Sequence, residues 1–223
     1  MPPSARPFPR FIADAAQEAE PTGRFAERLT EEFCKACEPL AGDAGSTVDP
    51  QTIRWFPERG WGGRVYVPAT AQAGEPSVPV DSPADSEPAL VEFYGWVSFV
   101  RPEGDEPSDF TAKAEFTDVT AEDSPEWEID ISDDVIGPWR SEAGRGGDVT
   151  LVWGLPMVRG AVAATAEIDG EVVDQCPVRD GRFTLVAVDA VSGFGDEDVY
   201  MTVKLWDRRL AQVAAESLYD EAE

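Results

Sequence analysis

The sequence contains no histidine, and this absence narrows the chemistry open to the protein. Histidine is the commonest general base and metal ligand, and most serine and cysteine nucleophiles depend on it. The sequence therefore excludes catalytic sites that pair a serine or cysteine nucleophile with histidine. We expect a non-catalytic protein that needs no cofactor or metal. Enzymes without histidine exist, so catalysis by carboxylates stays an alternative.

Cysteine is also scarce, with three residues at positions 34, 37 and 176. An odd, low count does not describe a disulfide framework. Cys34 and Cys37 form a CxxC spacing, which suits redox or metal chemistry when it lies on a helix. No second CxxC completes a zinc site, and Cys37 continues an apolar stripe. The pattern therefore favours packing in the core over redox or shared-metal binding.

Long apolar runs are absent. No stretch approaches the roughly 20 consecutive apolar residues that a membrane span needs. Residues 1–7 lack the apolar core of a secretory signal. We therefore predict a cytoplasmic protein that has no membrane partner.

Basic residues are few, with 18 Lys and Arg against 44 Asp and Glu, which gives a net charge of −26. Residues 102–148 alone carry a net charge of −12. Such a surface repels nucleic acid and anionic lipid, so neither is expected as a partner. Solubility or a bias of the whole proteome explains the charge best. The alternative is an acidic face evolved for a basic partner.

Short strand-like runs dominate what is present. They are rich in β-branched and aromatic residues and lie at 149–154, 163–170, 182–188 and 199–206. Residues 110–117 and 127–131 alternate between apolar and polar side chains, which is typical of half-buried strands. The sequence therefore predicts a mainly β protein. We expect an antiparallel β-sandwich, immunoglobulin-like or jelly-roll-like, over residues 43–207.

Helical patterns occur at both ends of this β region. Residues 1–9 are proline-rich and are expected to be disordered. Residues 10–42 are predicted to form a helical segment that packs on the β domain. Its apolar stripe consists of Phe25, Leu29, Phe33, Ala36, Cys37 and Leu40. Residues 208–223 are predicted to form a C-terminal helix or tail that begins after Asp207. The alternative is a hairpin that turns at Asp207 into a last strand.

The β region shows two further features. Residues 70–88 are rich in Pro, Ser and Asp and are a candidate domain boundary. Residues 90–145 and 149–206 share several short motifs in the same order, which suggests an internal repeat. Chance similarity between strands is the alternative explanation. If the repeat is real, two small sandwiches in tandem become the second architecture.

Trp61 is the best candidate for a contact residue. It lies among Gly60, Gly62 and Gly63, with Arg59 and Arg64 close by. An exposed tryptophan beside arginine suits contact with a sugar or a protein partner. Packing within the loop is the alternative.

Two acidic clusters are candidates for calcium, one at Asp130, Asp133 and Asp134 and one at 196–198. Neither has EF-hand spacing, and turn formation or protection of sheet edges explains both. A pair of carboxylates for glycoside hydrolysis cannot be singled out among 44 acids.

These patterns favour a non-catalytic binding or assembly module that acts through a protein partner or self-association. The first alternative is an acidic inhibitor or DNA mimic, suggested by residues 102–148. The second is a histidine-free carboxylate enzyme or a calcium-dependent carbohydrate-binding protein.

Overall fold

A computed structural model describes residues 21–74, 91–103, 106–140, 146–168, 170–188 and 201–218. The chain divides between Glu126 and Trp127 into two units, which we call the N-terminal unit and the C-terminal unit. Both are built from antiparallel strands, which confirms the prediction of a mainly β protein. Residues 1–9, predicted to be disordered, lie outside the described residues, as do residues 10–20.

The predicted N-terminal helix is present as α1, Gly23–Cys37. Thr22 occupies the N-cap position, although its side chain makes no capping hydrogen bond. Leu29, Phe33 and Cys37 of the predicted stripe are buried. A 3-10 turn at Glu38–Leu40, the short helix α2 at Ala41–Ala44 and a second 3-10 turn at Pro50–Thr52 follow. No helix in the described ranges is both long and apolar enough to cross a membrane.

The N-terminal unit contains one antiparallel sheet. Its strands are β1 (Arg54–Trp55), β2 (Arg59–Trp61), β3 (Arg64–Gln72), β4 (Glu92–Val100) and β5 (Ser108–Thr117). The order is β1-β3-β4-β5, and β2 pairs with β3 as well. The candidate boundary at 70–88 begins within the last three residues of β3, whose neighbour in this sheet is β4, and residues 75–90 lie outside the described ranges.

One face of this sheet packs under α1. Alternate residues of β3 and β4 form the buried layer together with the helix stripe, because successive side chains of a strand point to opposite faces. The fully buried aromatic members are Phe33, Phe93 and Phe99. On β5 the predicted alternation is confirmed, since its apolar residues pack on this layer while Thr111, Lys113 and Glu115 are exposed.

The C-terminal unit contains two antiparallel sheets. Its strands are β6 (Ile129–Arg140), β7 (Gly146–Pro156), β8 (Ala163–Ile168), β9 (Glu171–Pro177), β10 (Phe183–Val188), β11 (Met201–Trp206) and β12 (Gln212–Leu218). One sheet has the order β10-β7-β6 and the other has the order β12-β11-β8-β9. In the suggested repeat, β7 and β8 are the counterparts of β4 and β5. The latter two are paired, whereas β7 and β8 lie in different sheets.

A single apolar cluster draws on both sheets of the C-terminal unit. Phe183 and Leu185 come from β10, and Met201, Val203 and Leu205 come from β11, all fully buried. Gly154 of β7 allows this packing. A Cβ at that position would lie 2.3 Å from the Asp130 carbonyl oxygen and 2.9 Å from the Phe183 ring.

The favoured prediction for the C-terminal tail, a helix, is wrong. Residues 212–218 form β12, which pairs antiparallel with β11 after a turn at Asp207. The apolar spacing fits a helix, but β11 needs a partner for the free edge of its backbone, and a strand satisfies it. The alternative of a hairpin into a last strand is the structure observed.

Candidate functional site

The three residues predicted as contacts lie on one face of the N-terminal sheet. Gly62 and Gly63, with φ angles of 58° and 81°, form the two-residue turn between β2 and β3. Both angles are positive, as a tight hairpin of this kind requires. Trp61 pairs directly with Arg64, and Arg59 pairs with Tyr66. Directly paired residues share a face, and this face is the one opposite α1. Trp61 is half-buried rather than fully exposed.

Arg64 is held within the sheet. Its guanidinium lies within hydrogen-bond distance of five acceptors, namely the Ser98 hydroxyl and carbonyl, the Asp109 carboxylate and carbonyl, and the Thr111 hydroxyl. Three of these acceptors share the two hydrogens of Nη2. The Asp109 carboxylate is 2.6 Å away. These bonds use each nitrogen of the guanidinium and tie β3 to β4 and β5. Arg64 therefore has an evident structural role within the N-terminal sheet.

The CxxC cysteines lie in an environment that disfavours the thiolate. Cys37 is 1% exposed and packs between α1 and the sheet with Leu29 and Phe33. Burial raises the pKa of the Cys37 thiol to about 12, and burial together with Glu38 raises the pKa of Cys34. Redox chemistry and metal ligation both need the thiolate. The favoured sequence interpretation, core packing, is confirmed for Cys37.

The acidic cluster on β6 is divided between two faces. Asp130 and Asp134 lie on one face of the strand and Asp133 on the other, since side chains alternate. The cluster at 196–198 lies outside the described residues. Within the described ranges no group of three or more Cys, Asp or Glu side chains is arranged to hold a metal ion.

One end of the C-terminal unit is basic, a feature that the sequence does not predict. Ala163, the first residue of β8, pairs with Pro177 at the end of β9 and with Trp206 at the end of β11. Three connections therefore emerge at the same end of the four-stranded sheet, namely residues 157–162, 178–182 and 207–211. We call them together the arginine end.

The arginine end reverses the sign of the protein's charge. It carries Arg159, Arg179, Arg182, Arg208 and Arg209 against Asp180 and Asp207, a net charge of +3 in a chain of net charge −26. Glu128 adds one carboxylate nearby, because its carbonyl oxygen accepts the amide hydrogen of Met157 at 2.9 Å. No residue of the described ranges forms an ion pair with Arg208 or Arg209, and both are exposed.

Two exposed apolar side chains accompany these arginines. Met157 is 46% exposed and Leu210 is 40% exposed. Leu210 has a φ angle of 60° and follows Arg208 and Arg209 in the three-residue loop between β11 and β12. A left-handed residue normally ends such a loop, and it is usually glycine. A leucine there is a backbone outlier, since its Cβ disfavours that conformation.

The loop is nevertheless well defined. The Asp207 carboxylate accepts the amide hydrogens of Arg209 at 2.8 Å and Ala211 at 2.9 Å. The Asp207 carbonyl accepts the amide hydrogen of Leu210 at 3.0 Å. These bonds fix the turn and so hold Leu210 at the tip. The sequence holds one signal for this loop. Leu210 lies three positions after Asp207, where a tight hairpin loop usually has glycine.

Comparison of the chain with protein-family models, with curated proteins and with solved structures gave no match.

Proposed function

We propose that this protein is a non-catalytic binding module whose C-terminal unit is an immunoglobulin-like β-sandwich. We further propose that the arginine end of this unit captures an acidic protein partner. The observation that carries the proposal is a basic, apolar-tipped end on a strongly acidic chain.

The strand order supports the sandwich assignment. Counted along the C-terminal unit, the first, second and fifth strands form one sheet, and the third, sixth and seventh lie together in the other. This division is that of immunoglobulin-type sandwiches. The fourth strand, β9, pairs with the third instead of the fifth, so it lies in the other sheet. The shared apolar core between the sheets is what such an architecture requires.

The position of the arginine end also supports the proposal. Loops of a β-sandwich cluster at its two ends, and recognition is often carried out by loops on a rigid scaffold. Arginine and exposed apolar side chains together are typical of contact surfaces between proteins. Charge of opposite sign steers an acidic partner to this end and away from the rest of the acidic surface.

The strained backbone of Leu210 also supports a binding role for the arginine end. Backbone outliers tend to persist where function requires them. Leu210 is exposed, so burial within this chain does not explain its side chain, and glycine would be less strained. Leu210 is held at the tip of the loop beside Arg208 and Arg209, and its apolar side chain is exposed there. Such a side chain suits insertion into a shallow pocket of a partner.

The proposal is tested by comparing what the protein captures from a lysate of its source organism. We expect Arg208→Glu to lose the partners that the unaltered protein binds, because the substitution places a carboxylate in the contact. Arg140→Glu is the matched control, since it makes the same change in charge at an exposed position. Arg140 is the last residue of β6, whereas the first residue, Ile129, pairs with Pro156 beside the arginine end. Equal capture by both variants would contradict the proposal. Capture of nucleic acid instead of protein at this end would also contradict it.

A further inference from the structure

The outer edge of β5 is a second candidate interaction surface, because it is the edge of a sheet. β5 is the last strand in the order β1-β3-β4-β5, and among the described residues no strand lies beyond it. An edge strand presents backbone N–H and C=O groups that can pair with another chain. Which residues present them follows from their pairing with β4.

The even-numbered residues of β5 present their backbone groups outward. A Cβ placed on Gly95 of β4 would lie 2.1 Å from the carbonyl oxygen of Lys113, so that oxygen points toward β4. In an antiparallel pair the residues that bond to one neighbour alternate with those that point away. The N–H and C=O groups of Ala112, Ala114 and Phe116 therefore point away from β4.

We propose that this edge pairs with the same edge of a second copy of the chain, antiparallel and with Ala114 opposite Ala114 of the other copy. In that register Lys113 lies opposite the other copy's Glu115, and Glu115 opposite its Lys113. Ala112 lies opposite Phe116, and Thr111 opposite Thr117. Opposite charges directly across a strand pair are stabilising. Three outward-facing pairs supply about six backbone hydrogen bonds.

The charges on β5 select this register. Centring the pair on Lys113 places two ammonium groups opposite each other. Centring it on Ala112 places Asp109 opposite Glu115. Both arrangements juxtapose like charges, which is destabilising. Only the register centred on Ala114 pairs opposite charges at both symmetric positions, and it keeps the apolar residues on the face that packs under α1.

Local charge also suits contact between two copies of an acidic chain. Lys113 and Glu115 form an ion pair of 3.1 Å within one chain. The exposed side of α1 carries Arg28, Glu31, Glu32 and Lys35, which form ion pairs with one another. Arg28 lies over Phe110 of β5 at 5.6 Å. Two of the three lysines of the chain are therefore found here, and the edge is close to neutral where two copies would otherwise repel.

Sedimentation equilibrium of the full chain at physiological ionic strength tests the pairing. We expect a concentration-dependent dimer. Lys113→Glu places four carboxylates around the two-fold axis and raises the dimer dissociation constant at least about ten-fold. Glu115→Lys has the same effect with four ammonium groups. The double variant Lys113→Glu/Glu115→Lys exchanges the signs and restores the dimer, which distinguishes pairing across the edge from damage to the fold.

Arg140→Glu is the control for Lys113→Glu, because it alters the net charge equally at an exposed residue of the other unit, and we expect it to leave the dimer unchanged. A monomer at every concentration would overturn the inference. So would a dimer unaffected by Lys113→Glu, or a double variant that stays monomeric while its circular dichroism matches that of the unaltered chain. Arg208→Glu is expected to leave the dimer intact, so this inference and the proposed function can fail separately.

Discussion

Lys204 of β11 forms an ion pair with Glu167 of β8, and the two side chains differ sharply in exposure. The Glu167 side chain is 1% exposed, whereas that of Lys204 is 23% exposed. The Thr165 hydroxyl lies 3.4 Å from the same carboxylate and accepts the indole N–H of Trp206 at 2.9 Å. A buried charge is therefore held on the face of the four-stranded sheet that points away from the core of the unit.

The asymmetry in burial predicts unequal effects of removing each partner. Lys204→Met leaves an uncompensated carboxylate almost wholly out of water, which we expect to reduce the free energy of unfolding by about 3 kcal/mol. Glu167→Gln leaves the more exposed ammonium, which can reach solvent, and we expect a loss of about 1 kcal/mol. Urea denaturation of the two variants measures the difference.

Two further variants test the reason for this loss. Lys35→Met removes a partner of Glu31 on the exposed surface of α1, where both side chains are half exposed, and should leave the urea midpoint unchanged. The combination of Lys204→Met with Glu167→Leu leaves no unpaired charge and should recover most of the stability. A loss in Lys35→Met as large as that in Lys204→Met would show that burial is not the cause.

The raised thiol pKa of Cys37 predicts a change of stability at alkaline pH. Its pKa rises from 9.0 to about 12 because burial penalises the thiolate. The folded state therefore holds the proton more tightly than the unfolded chain, and this contribution is fully present below about pH 9. It is lost as the pH rises from 9 toward 12. We expect the unaltered chain to lose more stability over that range than Cys37→Ala.

Denaturation of both proteins at pH 8 and pH 11 measures this difference. Alkylation with iodoacetamide supplies an independent reading, since only the thiolate reacts. At neutral pH we expect Cys37 to react only when the protein is unfolded. Rapid alkylation of Cys37 in the folded protein would contradict the burial of its thiol. Cys34, which is less buried, serves as the internal comparison.

Burial of one face of a single helix or strand can be predicted from the local sequence. The stripe of α1 and the alternation of β5 were predicted correctly, because in each case one face of a single element is buried. The tail was not. An aspartate that accepts nearby amide hydrogens begins a helix or closes a hairpin loop equally well, and Asp207 does the latter. The open edge of β11 selects between them, and that edge is not visible in the local pattern.

The arginine end could not be predicted for a related reason. Its residues come from three connections separated by 15 or more positions in the chain, and each connection holds only one or two arginines. Arg159, Arg208 and Arg209 are exposed, whereas Arg179 and Arg182 are half-buried. Their meeting depends on the order of β8, β9 and β11 within a sheet, which the sequence does not specify. Trp61 and Arg59, in contrast, can be grouped from the sequence, because the residues near them in the chain are also their neighbours in the hairpin of β2 and β3.

Replacing Leu210 with glycine is expected to separate stability from binding. Glycine adopts the observed φ of 60° without the steric cost that leucine bears, so we expect Leu210→Gly to raise the free energy of unfolding by about 1 kcal/mol. Asp180, which has a φ of 48° in the turn before β10, supplies the matched control. Aspartate tolerates this conformation better, so Asp180→Gly should gain less.

If Leu210 contacts a partner, the more stable variant binds less well. We therefore expect Leu210→Gly to show a higher urea midpoint together with reduced capture of the partners that Arg208→Glu also loses. A stabilised variant with undiminished capture would show that Leu210 makes no contact with a partner. The arginines alone would then be the binding element. A destabilised variant would mean that the half-exposed leucine packs within its own chain, which would remove the strain argument for this end of the protein.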